Sequence, residues 1–199
     1  ASAVDPVWLS ELRGPLVLFV GRISPDKGAI VSAQAILSLK DMGASRPTLV
    51  LLGPVDDAFR RYYAGLQDEE RSYVRLVGPV SEAEKHAALD RSSMLVLPSR
   101  VDAFGMVFLE AWAHGKPVIG ARAGGIPGLI DDGVDGLLVP WGDAEALPWA
   151  EQIARLRTVR ANRDAVKVAD VLARIQAAAQ VPSAPLMPLF VEAVSTYAT

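Results

Sequence analysis

Short apolar runs alternate with helix-periodic segments along the first 140 or so residues, and no other feature of the sequence restricts the fold as much. The runs are Leu16–Val20, closed by Gly21, then Leu49–Leu52, Val74–Val77, Met94–Leu97, Pro117–Gly120 and Gly136–Val139. Each is rich in Val, Ile and Leu and too short for a helix of ordinary length, so each reads as a strand. Strands separated by helices are the mark of βαβ units and of a parallel sheet covered on both faces. The prediction is an α/β fold: a doubly wound, mostly parallel sheet of about six strands with additional C-terminal helices.

The first intervening helix shows Ile30, Ala33 and Leu37 on one stripe, which should face the sheet. Ser81 followed by Glu84 is a capping box that starts a helix running from Glu82 to about Asp90. After Val139, Pro140, Pro148, Pro182, Pro185 and Pro188 punctuate segments that otherwise read as helix. Proline inside a helix costs about 3 kcal/mol, so a turn near Asp143 and a helix beginning at Pro148 are expected instead. Helix then extends from Trp149 to Gln176, with a break near Asn162, and a last helix covers Pro188 to Tyr197. This divides the chain into a sheet domain, residues 1–147, and a helical extension, residues 148–199.

Composition narrows the function classes. The 199 residues are 51% hydrophobic and 22% charged, which excludes disorder, and a chain of this size buries roughly 70% of its unfolded surface in one core. There is no Cys, which removes disulfide scaffolds, thiolate zinc sites and thiol nucleophiles and fits a cytoplasmic location. Twenty Lys and Arg against 23 Asp and Glu give a net charge of −3, which argues against nucleic-acid binding. No apolar run approaches the roughly 18–20 residues of a membrane span. Ala1, Ser2 and Ala3 carry no initiator Met and no signal pattern, the expectation for a processed or excised chain. The mean hydropathy of +0.25 fits either a large Ala and Val content or an apolar face that meets another domain.

Two loops concentrate the chemistry. The segment Gly21-Arg22-Ile23-Ser24-Pro25-Asp26-Lys27-Gly28 leaves the first strand and enters the first helix. Open α/β sheets bind ligands at that place, where loop N–H groups and the positive end of a helix meet an anion. Arg22 and Lys27 add two cations, suited to a diphosphate. A βα loop with a solvated lysine would look the same, and the segment matches neither G-x-G-x-x-G nor the Walker pattern. The second loop, from Ser99 to Glu110, follows the strand Met94–Leu97 and places Asp102 and Glu110 eight residues apart. With a helix starting near Phe104, Asp102 sits at its mouth and Glu110 about two turns inside, where an acid can accept from a vicinal diol. An N-cap Asp and an exposed Glu are the alternative.

The run DAFGMVFLEAWAHGKPVIGARAGGIPGLIDDGVDGLLV, with FVGRISPDKG upstream, resembles the nucleotide-sugar-binding domain of retaining GT-B glycosyltransferases, in particular glycosyltransferase family 4. The resemblance covers roughly Leu16 to Leu147, with several motifs in the family's order and spacing. It implies that the domain is a Rossmann-like GT-B half and that its substrate is a nucleotide sugar, a UDP- or GDP-hexose, with no cofactor and no metal. It also implies roles. Arg22 and Lys27 hold the donor diphosphate and stabilise the leaving nucleotide. Glu110 binds the ribose hydroxyls and Asp102 approaches hydroxyls of the donor sugar. Backbone groups of Gly21, Phe104, Gly105 and Met106 lie near sugar and phosphate, and Gly78, Pro79 and Val80 near the base.

Asp102 departs from the Glu usual in the motif, shortening its reach by about 1.5 Å. Gly128 stands where the family often has Glu. Enzymes of this type have two α/β domains, and 199 residues accommodate one, so an N-terminal acceptor-binding half is expected in the same or another chain. Glycosyl transfer, with retention at the anomeric carbon, is then a property of the complete enzyme, and this chain alone is expected to be inactive. The competing reading is a non-catalytic nucleotide-binding or scaffold module; an unrelated doubly wound regulator would show no nucleotide selectivity. His86 and His114 read as surface or cap residues, supporting neither a metal site nor a catalytic triad. Trp112 reads as packing. Arg155, Arg157, Arg160 and Arg163 fit a solvated helix face, with weak peripheral contact to an anionic membrane as the alternative.

Overall fold

The computed structural model describes residues 6–12, 14–39, 46–102, 105–144, 170 and 174. In chain order the elements are α1 (Val7–Ser10), β1 (Leu16–Val20), a 3-10 turn (Pro25–Lys27), α2 (Ala29–Leu37), β2 (Thr48–Leu52), α3 (Asp57–Ala64), α4 (Asp68–Tyr73) and β3 (Val74–Gly78). There follow α5 (Glu82–Arg91), β4 (Met94–Leu97), α6 (Met106–Ala113), β5 (Val118–Ala121), a second 3-10 turn (Ile126–Gly128) and β6 (Gly136–Val139).

All six strands are parallel and lie in the order β3-β2-β1-β4-β5-β6. The sheet therefore winds outward in both directions from β1 and β4. Strands β1, β2, β4, β5 and β6 are buried almost throughout, which is why their sequences are continuous apolar runs and do not alternate. Edge strand β3 is only partly covered and carries the exposed Arg75. Right-handed crossovers place α2, α3 and α4 together on one face, with α5 and α6 on the other. The largest fully buried side chains include Phe19, Phe59, Phe108 and Trp112. Trp112 also donates its indole N–H to the Asp135 carbonyl at 3.0 Å, so it packs, as expected, and ties α6 to the loop before β6.

The predicted strands all form, with ends moved by one residue at β2, β3 and β5. Ala33 and Leu37 of the predicted stripe are buried and Ile30 is partly so. The Ser81 capping box is present, with Ser81 Oγ accepting from Glu84 N–H at 3.3 Å and Ser81 N–H donating to Glu84 at 2.9 Å. The helical connection expected between β2 and β3 forms as two helices, α3 and α4, whose bounds the sequence reading does not give. They are short: α3 carries Phe59, Tyr62 and Tyr63 at i, i+3 and i+4, with Phe59 buried and both tyrosines packed against the core, while α4 has no fully buried side chain. Their starts are nevertheless marked: Asp56 Oδ1 accepts from the N–H groups of Ala58 and Phe59, and Glu70 accepts from Gln67 N–H. The turn at Trp141 and Gly142 is present. The helices expected over 148–199, and the basic residues Arg155 to Arg163, lie outside the described residues. Asp170 and Arg174 are the exceptions, both helical and joined by an ion pair of 3.6 Å. Among the described residues no helix is long and apolar enough to cross a membrane.

Candidate functional site

In a sheet of this order the chain leaves β1 and β4 in opposite directions, and open α/β sheets bind ligands beyond the carboxyl ends of such strands. The two loops singled out from the sequence emerge there side by side. Their contact is close. Gly28, at φ 79°, lies against Pro98 so tightly that a Cβ would fall 2.4 Å from the Pro98 carbonyl oxygen. Arg100 N–H donates to the Asp26 carbonyl at 2.8 Å. A glycine at position 28 thus serves both the left-handed backbone and the approach of one loop to the other.

Across this seam Lys27 reaches Asp102. Its ammonium donates to Asp102 Oδ2 at 3.1 Å and to the Val101 carbonyl at 2.8 Å, with both side chains about four-fifths buried. Asp102 Oδ1 accepts from Gly105 N–H at 2.9 Å. The aspartate therefore braces the helix entrance and engages the cation, and Gly105 N–H is already occupied by it. Arg22 is exposed and makes no hydrogen bond or ion pair among the described residues. Its charge and that of Lys27 help hold the Asp26 carboxyl below the usual carboxylate range. The Ser24 hydroxyl is the largest influence in that direction, partial burial opposes it, and Asp26's own backbone N–H lowers it further. The Ser24 contact falls short of hydrogen-bond geometry, which leaves the buried Ser24 Oγ without a partner among the described residues.

Helix α6 begins at Met106 behind Gly105, at φ 62°, and not near Phe104, which lies outside the described residues with Ala103. The later start corrects the position of Glu110, which sits just over one turn inside the helix and not two. Glu110 is not bonded to Lys27 or Asp102. Its carboxylate faces Lys85 of α5, with Lys85 Nζ 2.9 Å from Oε2 and 3.0 Å from Oε1. Lys85 also pairs with Glu82 at 2.7 Å. Burial disfavours the Lys85 charge, but the two carboxylates outweigh it and hold its pKa above the ordinary lysine value. The sequence reading missed Lys85. Its spacing from Glu82 marks a helix pair, but only the neighbouring of α5 and α6 brings it to Glu110.

The two histidines, distant in sequence, meet at the same joint. His86 Nδ1 lies 2.8 Å from His114 Nε2, and His114 Nδ1 lies 2.6 Å from Asp90 Oδ1. His114 is the C-cap of α6 and His86 is exposed, so the cap and surface positions are as expected and their contact is not. No group of three or more metal-ligating side chains converges among the described residues. Gly21 follows the carboxyl end of β1, Gly78 ends β3 with space beside it, and Val80 lies two residues further on. Met106 and Val101 are exposed at the rim, and Arg100 lies over the Trp141 ring at 5.1 Å. A cavity of about 340 Å³ lies at the other end of the sheet, lined by Glu11, Leu12, Thr48, Ser72 and Arg75, and includes none of these residues.

Residues 14–158 match the family of group 1 glycosyl transferases. Residues 143–199 also match methylmalonyl-CoA mutase, a stretch of which only 143, 144, 170 and 174 are described. The chain is 34% identical over 184 residues to a D-inositol 3-phosphate glycosyltransferase of Corynebacterium glutamicum, covering 86% of this chain and 43% of that protein. It is 30% identical over 168 residues to the sulfoquinovosyl transferase SQD2 of Arabidopsis thaliana, covering 82% and 30%. Among solved structures, the sucrose-phosphate synthase of Thermosynechococcus elongatus superposes with a TM-score of 0.63 at 28% identity, over 92% of this chain and 45% of that one. Anabaena Alr3699/HepE in complex with UDP and glucose has the same fold, with a TM-score of 0.63 at 20% identity over 92% and 48%. The chain thus spans less than half the length of these relatives.

Proposed function

This chain belongs to the group 1 glycosyl transferases and has their GT-B, Rossmann-like fold, and on that premise we propose that it is the half that binds the nucleotide-sugar donor. The observation that carries the reading is the seam at the β1 and β4 carboxyl ends. There Arg22, unpaired among the described residues, the Lys27–Asp102 pair and the entrance of α6 share one rim.

In this reading the donor diphosphate lies on Arg22 and Lys27. Lys27 exchanges part of its contact with Asp102 for phosphate, and both cations stabilise the charge that grows on the leaving nucleotide, so the step proceeds without a metal. Glu110 accepts from the ribose hydroxyls. Gly78 and Val80 border the base, and Gly21, Phe104, Gly105 and Met106 border phosphate and sugar. Asp102 fixes Lys27 and the loop, and contacts the sugar only as far as its short side chain reaches. Residues 1–147 form the donor domain, and 148–199 an extension beyond it. Transfer of a hexosyl group with retention belongs to the assembled pair, in the cytoplasm. The donor is a UDP- or GDP-hexose.

Calorimetric titration with UDP, GDP and ADP tests this. Arg22→Ala is the informative variant, because Arg22 supports no other described residue. Loss of one charge-assisted hydrogen bond, about 1.5–3 kcal/mol, weakens binding roughly 10- to 150-fold. Absence of binding by all three nucleotides at millimolar concentration overturns the reading. A second reading, a nucleotide-binding module without catalysis, draws on Asp102 being engaged by Lys27 and Gly105. It predicts binding with no donor consumption even when an acceptor half is supplied.

A further inference from the structure

Lys85 stands on α5, whose cap follows directly on the Gly78-Pro79-Val80 loop, and its side chain is 14% exposed. An ammonium has three donors. Three carboxylate oxygens lie within 3.0 Å of Lys85 Nζ: both oxygens of Glu110 and Oε2 of Glu82. A side chain on one helix thus holds both carboxylate oxygens of an acid on another. A carboxylate offers about four lone-pair positions, so two remain free on Glu110, which is still 29% exposed toward solvent. The His86–His114–Asp90 contacts fasten α5 to α6 at a second level, so the position of Lys85 relative to Glu110 is set by the backbone as well as by the ion pair.

We propose that Lys85 is a positioning residue that orients the Glu110 carboxylate to accept from the ribose hydroxyls of the donor nucleotide. The inference rests on the reading that Glu110 meets the ribose. Lys85 acts through Glu110 and does not itself touch the nucleotide. Without it, a partly buried carboxylate turns away to better-hydrated rotamers, and ordering it falls to the ligand.

The test measures the dissociation constants of UDP, GDP and ADP, each against its 2′-deoxy counterpart, for the wild-type chain and for Lys85→Met, Lys85→Arg, Glu110→Gln and His86→Ala. For the nucleotide that binds most tightly, wild type prefers the ribose form by about tenfold or more, the worth of one hydrogen bond to a charged group. Glu110→Gln and Lys85→Met each reduce that preference to within about twofold, weakening ribonucleotide binding more than deoxynucleotide binding. Lys85→Arg restores part of it, because a guanidinium grips a carboxylate through two donors. A Lys85→Met chain that binds both forms equally more weakly, with the ratio preserved, shows a merely structural tie and overturns the proposal. So does His86→Ala abolishing the preference to the same degree. Should Glu110→Gln keep the ribose preference, the assignment of Glu110 itself fails, an outcome distinct from Lys85→Met alone keeping it. If Lys85→Met does not fold, Lys85→Arg decides: loss of the ribose preference in a folded Arg variant counts against the proposal.

Discussion

Replacing Gly28 by Ala probes the seam on which the site is built. Gly28 has φ 79°, and a Cβ there lies 2.4 Å from the Pro98 carbonyl oxygen and 2.6 Å from Pro98 Cγ. Two costs therefore add: about 1–2 kcal/mol for an L-residue in the left-handed region, and about 1–3 kcal/mol for crowding a packed site whose neighbour is backbone. Gly14 supplies the control. It has φ 77°, and nothing lies within 4 Å of its Cβ position, so Gly14→Ala bears the first cost alone. Equilibrium urea unfolding should show Gly28→Ala destabilised by about 2–5 kcal/mol, exceeding Gly14→Ala by about 1–3 kcal/mol at unchanged m-value. Because relief comes by parting the loops after β1 and β4, nucleotide affinity should fall in Gly28→Ala under conditions where it is still folded. Equal stability of the two variants, with equal affinity, would refute the close approach of the loops and with it the juxtaposition of Lys27 and Asp102.

Trp112→Phe removes the buried donor to the Asp135 carbonyl and part of the ring volume, and should cost about 2–4 kcal/mol in the same unfolding assay. Asp56→Ala removes the acceptor for two N–H groups at the start of α3 and should cost about 1 kcal/mol; a value near zero would mean the cap contributes nothing. The Asp26 carboxyl has a pKa below its ordinary 3.8, so its favourable contribution is present above that pH and disappears as pH falls through the folded value. Urea midpoints of wild type and Asp26→Asn should therefore converge as pH drops below about 4, and a gap that widens on acidification contradicts the sign.

The sheet was legible because burial on both faces fills β1, β2, β4, β5 and β6 with apolar residues, Thr48 at the start of β2 excepted, so the strands appear in the sequence as short apolar runs. Helix α5 was legible through its capping box. Helices α3 and α4 were less legible individually, because α3 has only the short stripe Phe59, Tyr62 and Tyr63, and α4 buries no side chain fully and is defined by its cap and surface charge. At the site, Arg22, Lys27, Asp102 and Glu110 could be picked out by residue type at βα loops, but their pairing could not. Lys27 meets Asp102 across 75 positions and Lys85 meets Glu110 across 25, and both meetings depend on which strands and helices are neighbours. The same holds for His86 and His114. Expecting Glu110 deeper in its helix followed from starting α6 near Phe104, whereas Gly105 in a left-handed conformation delays the start to Met106.

A crystal structure of this chain grown with UDP shows whether a nucleoside diphosphate sits at the carboxyl ends of β1 and β4. The expected result is phosphate oxygens within hydrogen-bond distance of the Arg22 guanidinium and the Lys27 ammonium, with the ribose against Glu110. Nucleotide bound instead in the cavity lined by Thr48, Ser72 and Arg75, at the amino ends of the strands, would contradict it.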